Sequence, residues 1–388
     1  MVALGAVGIG QALLAALRPV TRASSEGVTA SGVALLSADS VGYLSLAVSS
    51  AWLTETPWNR LLYIALLRIG DGFGDPATFI VALQLAALVV ASMLAHRLAT
   101  DVAGRRAGLA ATLVLAVNPL VAQWARFVLT EILFFSLIVT ALWAGRRVLA
   151  NVEDRWSSIL LVALGLLAAL LRPNGILVLG STLTILSLRA RFGPRILLIP
   201  LTWTMVALGL WSGLMAAGQP AERSLTEQLH GGIVVEGADH VRTTVAMPSP
   251  LDPTDVSMGA ALDYALRHPV ATVRLAITRM AVESAQTRRH YPRPVNLAVG
   301  IAMMALFVLA AVGATQPRSR TLVRAALIIG LPLLLMIGAT FATPEGRYGW
   351  SYLTLLAPFG GVGSTITLRR LRVQATKRQR SAGPGIDR

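Results

Sequence analysis

The stretch ATFIVALQLAALVVASMLAHR, Ala77 to Arg97, decides the fold. It has no acidic residue and no lysine or arginine before Arg97, and its length matches the roughly 20 residues that cross a bilayer core as a helix. Comparable runs lie near residues 2–17, 107–120, 128–145, 157–171, 175–188, 195–216, 295–314, 322–341 and 350–367. Strands of a closed barrel would instead read as short segments of alternating hydrophobicity. The composition agrees with helices: 55% of the 388 residues are hydrophobic and 14% are charged, where soluble domains carry about 25% charge. The reading is an all-α polytopic membrane protein of about ten transmembrane helices.

The net charge of +15 would raise the question of nucleic acid in a soluble protein. Here the basic residues cluster in every second short loop: Arg97, Arg105 and Arg106, then Arg146, Arg147 and Arg155, then Arg189, Arg191 and Arg195, then Arg318, Arg320 and Arg324. A last group, from Arg369 to Arg380, follows the final span. Basic loops of this kind stay in the cytoplasm, so both termini are expected inside and no nucleic-acid partner is implied. Lys377 is the one lysine among the 34 basic residues, which points to a high-GC genome and a bacterial, actinobacterial, cytoplasmic membrane. There is no cysteine, hence no disulfide and no thiol chemistry. The first span has no basic residue before it, unlike a signal peptide, and the natural start is expected upstream.

Residues 1–371 read as one transmembrane unit and 372–388 as a disordered basic cytoplasmic tail, for which anionic headgroups are a possible contact. Two long loops, 18–76 and 217–294, fall on the extracytoplasmic side. VGYLSLAVSSAWL and WNRLLYIALLRIG, in the first, are too short to span and read as interfacial helices. In the second, MGAALDYALRHPVATVRLAITRMAVESA shows helical periodicity broken at Pro269, and its later half, VATVRLAITRMAVESA, is expected on the membrane surface.

Several polar residues at the outer ends of spans can carry chemistry. Asp39 can act as a general base towards an acceptor hydroxyl, or can cap a helix beginning at Ser40. Charge at a span end is costly in lipid and faces a cavity or a partner. Arg126 and Glu131, in WARFVLTEILFF, form either a structural ion pair or part of a site. Arg172, in LLRPNGILVL, either snorkels or binds. Arg347 and Tyr348, in TPEGRYGWSYL, share that face. Arginines converging there suit a phosphate, because the guanidinium fork matches phosphate oxygens. His290, in TRRHYPRP, contacts headgroups or a substrate. The five histidines are dispersed, so no metal site emerges, and no phosphate loop for ATP is present.

The order of these segments resembles the GT-C superfamily of integral-membrane glycosyltransferases, in the branch of the protein O-mannosyltransferases, aminoarabinose transferases and RgtA-like enzymes. ADSVGYLSLA resembles that branch's first-loop motif, an Asp followed four residues later by Tyr43. WNRLLYIALLRIGDGFGDPATFIVALQL, HRLATDVAGRRAGLAATLVLAVNPL, RFVLTEILFFSLIVTAL, ALLRPNGILVL, YALRHPVATVRLAITRM and EGRYGWSYLTLLAPF are similar to its later stations. The resemblance covers roughly residues 1–366.

The resemblance implies a glycosyltransferase with a polyprenyl-phosphate sugar donor, inversion at C1 and an extracytoplasmic active site. Asp39 would be the catalytic base; Arg347, Tyr348, Arg172 and Arg126 would meet the donor phosphate. Tyr43, Glu131, Glu55 and His290 would support the site or the acceptor, a glycolipid, cell-wall glycan or protein. Many relatives have Glu directly after the Asp, and here Ser40 stands there, so a second carboxylate is missing at that position and Glu55 is the candidate substitute. No cofactor is predicted, and a divalent metal has no support in the residues. The competing reading is a transporter or flippase of a lipid-linked or anionic substrate. Transporter sites usually lie at mid-membrane between repeated halves, and neither a repeat nor a clear mid-span charge is found.

Overall fold

The computed structural model describes residues 1–16, 27–28, 34–151, 153–189, 225–235, 242–248, 258–288, 291–340, 342–343 and 346–381. In chain order its helices are α1 (Val2–Ala16), α2 (Ala38–Val48), α3 (Trp52–Glu55), α4 (Leu61–Asp71), α5 (Pro76–Ala103), α6 (Arg105–Ala116) and α7 (Pro119–Ala122). Then come α8 (Glu131–Ala150), α9 (Arg155–Leu171), α10 (Gly175–Arg189), α11 (Leu225–His230), α12 (Met258–Arg267) and α13 (Pro269–Ala285). The last four are α14 (Arg293–Ala314), α15 (Arg320–Ala339), α16 (Trp350–Leu353) and α17 (Ala357–Ser381).

Local chemistry sets the boundaries. The Asp75 side chain accepts the Thr78 N–H and Pro76 opens α5, a capped start with proline in the first turn. Asp154 caps α9 in the same way through Ser157. That helix ends at Arg172 because Pro173 disfavours helical backbone at the residue before it.

Among the described residues four helical stretches are long and apolar enough to cross a membrane: Pro76–Ala103, Glu131–Ala150, Arg293–Ala314 and Pro317–Ala339. The expected span at 107–120 is instead a broken pair, Arg105–Ala116 and Pro119–Arg126, bent by 48°. Asn118 and Pro119 end one helix and cap the next, which accounts for the break. Counting that pair as one gives five. The runs near 2–17, 157–171 and 175–188 form apolar helices shorter than a full span, and 195–216 lies outside the described residues. The last expected span is interrupted by the 3-10 turn Thr354–Leu356 before α17 begins.

Among the described residues, beyond the helices, are two small antiparallel pairs, β1 (Gly27–Val28) with β2 (Leu35–Leu36) and β3 (Ile233–Val235) with β4 (Thr243–Thr244). Leu35 also bridges to Phe127, and Val235 to Ala342. Each long loop is thereby pinned beside a polar turn, the first before Glu131 and the second before Arg347.

The expected disordered tail is corrected as far as Ser381: α17 runs on through the basic residues. Arg, Lys, Gln and Ala are good helix formers, and extending an existing helix needs no new nucleus. Its apolar half lies tightly on α14, where a Cβ at Gly363 would collide with the Leu309 carbonyl.

α8 is the most enclosed of the long helices, with 61% of its apolar window buried against 22% for α14. Twenty residues rise about 30 Å, so Glu131 and the Arg146–Arg147 pair mark opposite ends of the bundle. At the arginine end, Arg146 pairs with Asp101 at 2.7 Å and Arg147 with Asp154 at 2.9 Å. The other end carries the candidate site.

Candidate functional site

Asp39 lies in the first turn of α2 and is not its cap. Ser37 is the cap: its hydroxyl accepts the Ser40 N–H at 3.4 Å, and Ser40 Oγ accepts the Ser37 N–H at 3.0 Å. The expectation that Asp39 caps a helix from Ser40 is therefore corrected, and its carboxylate is left for other work. Ser40 is fully buried and donates to the Val128 carbonyl at 3.0 Å. The Val128 N–H in turn donates to the Leu35 carbonyl at 3.1 Å. Gln84, on α5, holds the same strip by donating to the Phe127 carbonyl at 2.8 Å. The position after Asp39 thus serves as an anchor, with no room for an acid aimed at the site.

The second carboxylate is Glu131, at the start of α8. Arg347 Nη1 stands 3.0 Å from Asp39 Oδ2 and 3.7 Å from Glu131 Oε1. Arg172 Nη1 stands 3.1 Å from the same Glu131 oxygen. Tyr348 lies between the two arginines, with its ring centre 5.2 Å from the Arg172 guanidinium and 5.6 Å from that of Arg347. Phe134, one helical turn after Glu131, faces Arg172 at 5.5 Å. Arg172 is buried and paired, so the snorkelling alternative is corrected.

The cluster grades from buried to open. Side-chain exposure is 2% for Glu131 and 9% for Arg172, then 22% for Arg347 and 47% for Asp39. Glu131 Oε2 has no hydrogen-bond partner among the described residues. Chemically, the arrangement sets an accessible carboxylate beside a guanidinium, with the buried Arg172–Glu131 ion pair behind it. Such a group can take a proton from a hydroxyl while the arginines meet an anion. A divalent cation between the two acids does not fit, since the Arg347 guanidinium stands there. Among the described residues no group of three or more His, Cys, Asp or Glu is gathered as a metal would need.

Tyr43, one turn after Asp39, packs edge-on against Tyr63 at 5.3 Å, with the Arg60 guanidinium 5.4 Å from its ring. Burial pushes the Tyr43 phenol up, with Arg60 opposing, and pushes the Tyr63 phenol well above its ordinary value. Both therefore stay protonated near neutral pH. Arg126 closes the 3-10 turn Gln123–Arg126 that leads into Phe127. Glu55 is not drawn into the cluster: it sits exposed and accepts from Ser49 Oγ at 2.9 Å. His290 lies outside the described residues.

Sequence reasoning missed the supports behind Arg347. On α13 two of the charges, Arg279 and Glu283, point inward, while Arg274 is exposed. Leu275, Arg279 and Glu283 are its buried residues, while Val270, Val273 and Ile277 are exposed. Arg279 donates to the carbonyls of Gly338 and Ala339, at the end of α15, and to those of Ile233 and Gln228. The signal was present as the i, i+4, i+8 spacing of 275, 279 and 283, but two charges inverted its meaning.

No protein-family model matches the chain, and no curated protein matches it. Among solved structures it is similar to the archaeal oligosaccharyltransferase AglB from Archaeoglobus fulgidus, solved with an inhibitory peptide and a dolichol-phosphate, at 13% identity and a TM-score of 0.47. That likeness covers 99% of this chain and 52% of AglB, so the chain spans about half the length of that protein. At this level it is a likeness of chain path.

Proposed function

We infer that the protein is a GT-C-type glycosyltransferase of a bacterial cytoplasmic membrane, moving a sugar from a polyprenyl-phosphate donor to an extracytoplasmic acceptor. The observation that carries this reading is the Asp39–Arg347 pair, a half-open carboxylate beside an arginine backed by Tyr348, Arg172 and Glu131. The resemblance of the motifs around these same residues supports it. Membrane lipids surround the bundle, and both chain ends face the cytoplasm on the positive-inside pattern.

Asp39 takes the proton of the acceptor hydroxyl as its oxygen attacks C1 of the sugar from the face opposite the phosphate. The C1–oxygen bond to the phosphate breaks, its electron pair leaves with that oxygen, and the configuration at C1 inverts. The phosphate gains negative charge, and arginines already in place stabilise it without rearrangement. Arg347 and Arg172 are the groups for that task, with Arg126 as a further contact. The buried rings of Tyr43 and Tyr63 form a wall beside Asp39.

The test is transfer by the purified protein in lipid nanodiscs, supplied with polyprenyl-phosphate sugars and membrane extract as acceptor. Glycan and lipid profiling of a deletion strain identifies the linkage. A profile with no missing glycosidic linkage, together with no transfer from any such donor, overturns the reading.

A further inference from the structure

A second ionic centre lies behind the cluster, and several of its bonds reach the turn that carries Arg347, while Arg288 Nη1 is held by the Val282 and Thr287 carbonyls. Glu283, on α13, is fully buried and Arg288 is 3% exposed. Glu283 Oε2 accepts from Arg288 Nη2 at 2.7 Å and from the Thr343 N–H at 3.2 Å. Its Oε1 accepts from Thr343 Oγ1 at 3.2 Å and from the Gly349 N–H at 2.7 Å. Arg288 Nε donates to the Thr343 carbonyl at 3.0 Å. Gln286 Nε2 donates to the Gly346 carbonyl at 3.0 Å and is itself 2% exposed.

One carboxylate therefore grips the chain at 343 and again at 349, and a neighbouring amide grips it at 346. Arg347 and Tyr348 lie between the last two of these fixed points, Gly346 and Gly349. Gly346 has φ +70°, and a Cβ there would collide with Gln286 Oε1 and stand 2.7 Å from Arg288 Nη2. The turn thus closes so tightly on the clamp that only glycine fits the left-handed position.

A buried ion pair adds little net stability, because desolvation offsets its attraction. What it supplies is geometry, in the way that groups behind a site fix the groups that touch the ligand. We propose that Glu283, with Arg288 and Gln286, is a positioning residue that holds the 346–349 turn so that Arg347 and Tyr348 face Asp39, and so sets the affinity for the phosphate of a lipid-linked donor. This rests on the glycosyltransferase reading.

The probe is undecaprenyl phosphate, titrated against the full chain in nanodiscs and read by tryptophan fluorescence. Glu283→Gln keeps the volume of the side chain and loses the charge that holds Arg288. It weakens binding by about tenfold or more, with circular dichroism unchanged. Arg347→Ala also weakens binding, and adding Glu283→Gln to it costs no further affinity, because the clamp acts through Arg347. A purely structural role would lower both single variants and their combination additively. Should Glu283→Gln fail to fold, Gln286→Leu, which removes the amide's bonds to the Gly346 and Glu283 carbonyls and leaves the Glu283–Arg288 pair in place, takes its place with the same outcomes. Wild-type binding by the clamp variant beside a weakened Arg347→Ala overturns the proposal and leaves the enzyme reading standing. Wild-type binding by Arg347→Ala overturns the phosphate role of Arg347, and the proposal with it.

Discussion

Arg347 Nη1 sits between two acids, 3.0 Å from Asp39 and 3.7 Å from Glu131. Glu131 is also held by Arg172, whereas Asp39 is half open, so Asp39 is the partner that an incoming anion displaces. On the proposed glycosyltransferase reading, a donor phosphate and the base would compete for one guanidinium, and loading the donor would free the base. Asp39→Asn should bind undecaprenyl phosphate a few-fold more tightly while transfer falls by about 10²–10⁴-fold. Titration and turnover on the same preparation check both; unchanged turnover removes Asp39 from the mechanism.

Stability should separate the two acids. The Asp39–Arg347 pair is partly solvated, and such pairs contribute about 1 kcal/mol or less; melting of Asp39→Asn should match wild type. Glu131→Ala strands the buried Arg172 and should cost about 3–5 kcal/mol. Replacing Arg172 by Leu in the same chain should recover much of that. Melting in nanodiscs of the two single variants and the double variant measures the coupling.

Gly346→Ala should destabilise the protein by about 1 kcal/mol or more, because alanine is disfavoured at φ +70°. It should also weaken phosphate binding, since the added methyl pushes against Gln286 and Arg288. A full-affinity Gly346→Ala variant would mean that the turn tolerates displacement.

Tyr43→Phe should leave the shape of the pH–rate profile unchanged from about pH 6 to about pH 9. Burial raises the phenol above its ordinary value, so it stays protonated across that window. Any alkaline limb there belongs to another group. Loss of such a limb in the Phe variant would show Tyr43 titrating in the reaction.

Much of this was legible in residue order. The span at 77–97 lies within α5, and the polar residues placed at one end by loop alternation, Asp39, Glu131, Arg172 and Arg347, do meet in space. Two features escaped for physical reasons. The Asn118–Pro119 break leaves hydropathy untouched, so a window of apolar residues reads as one span. The face of α13 was assigned by hydrophobicity alone, and in space Val270, Val273 and Ile277 are exposed while Arg279 and Glu283 are buried. Ser40 shows the same limit: as a missing acid it was a gap, and in space it is an anchor.

Arg279 carries a consequence for how the molecule is made. Its carbonyl partners Gly338 and Ala339 lie 59 and 60 residues further along the chain, and Thr343 and Gly349 come later than Glu283 by 60 and 66. When α13 leaves the ribosome, Ile233 and Gln228 already exist to receive Arg279, but Gly338, Ala339, Thr343 and Gly349 do not, and such distant partners form slowly. Docking of this helix is thus a closing event of biogenesis. The turn bearing Arg347 takes shape only then, so a nascent chain that holds Asp39 and Glu131 already in place still lacks the arginine that joins them.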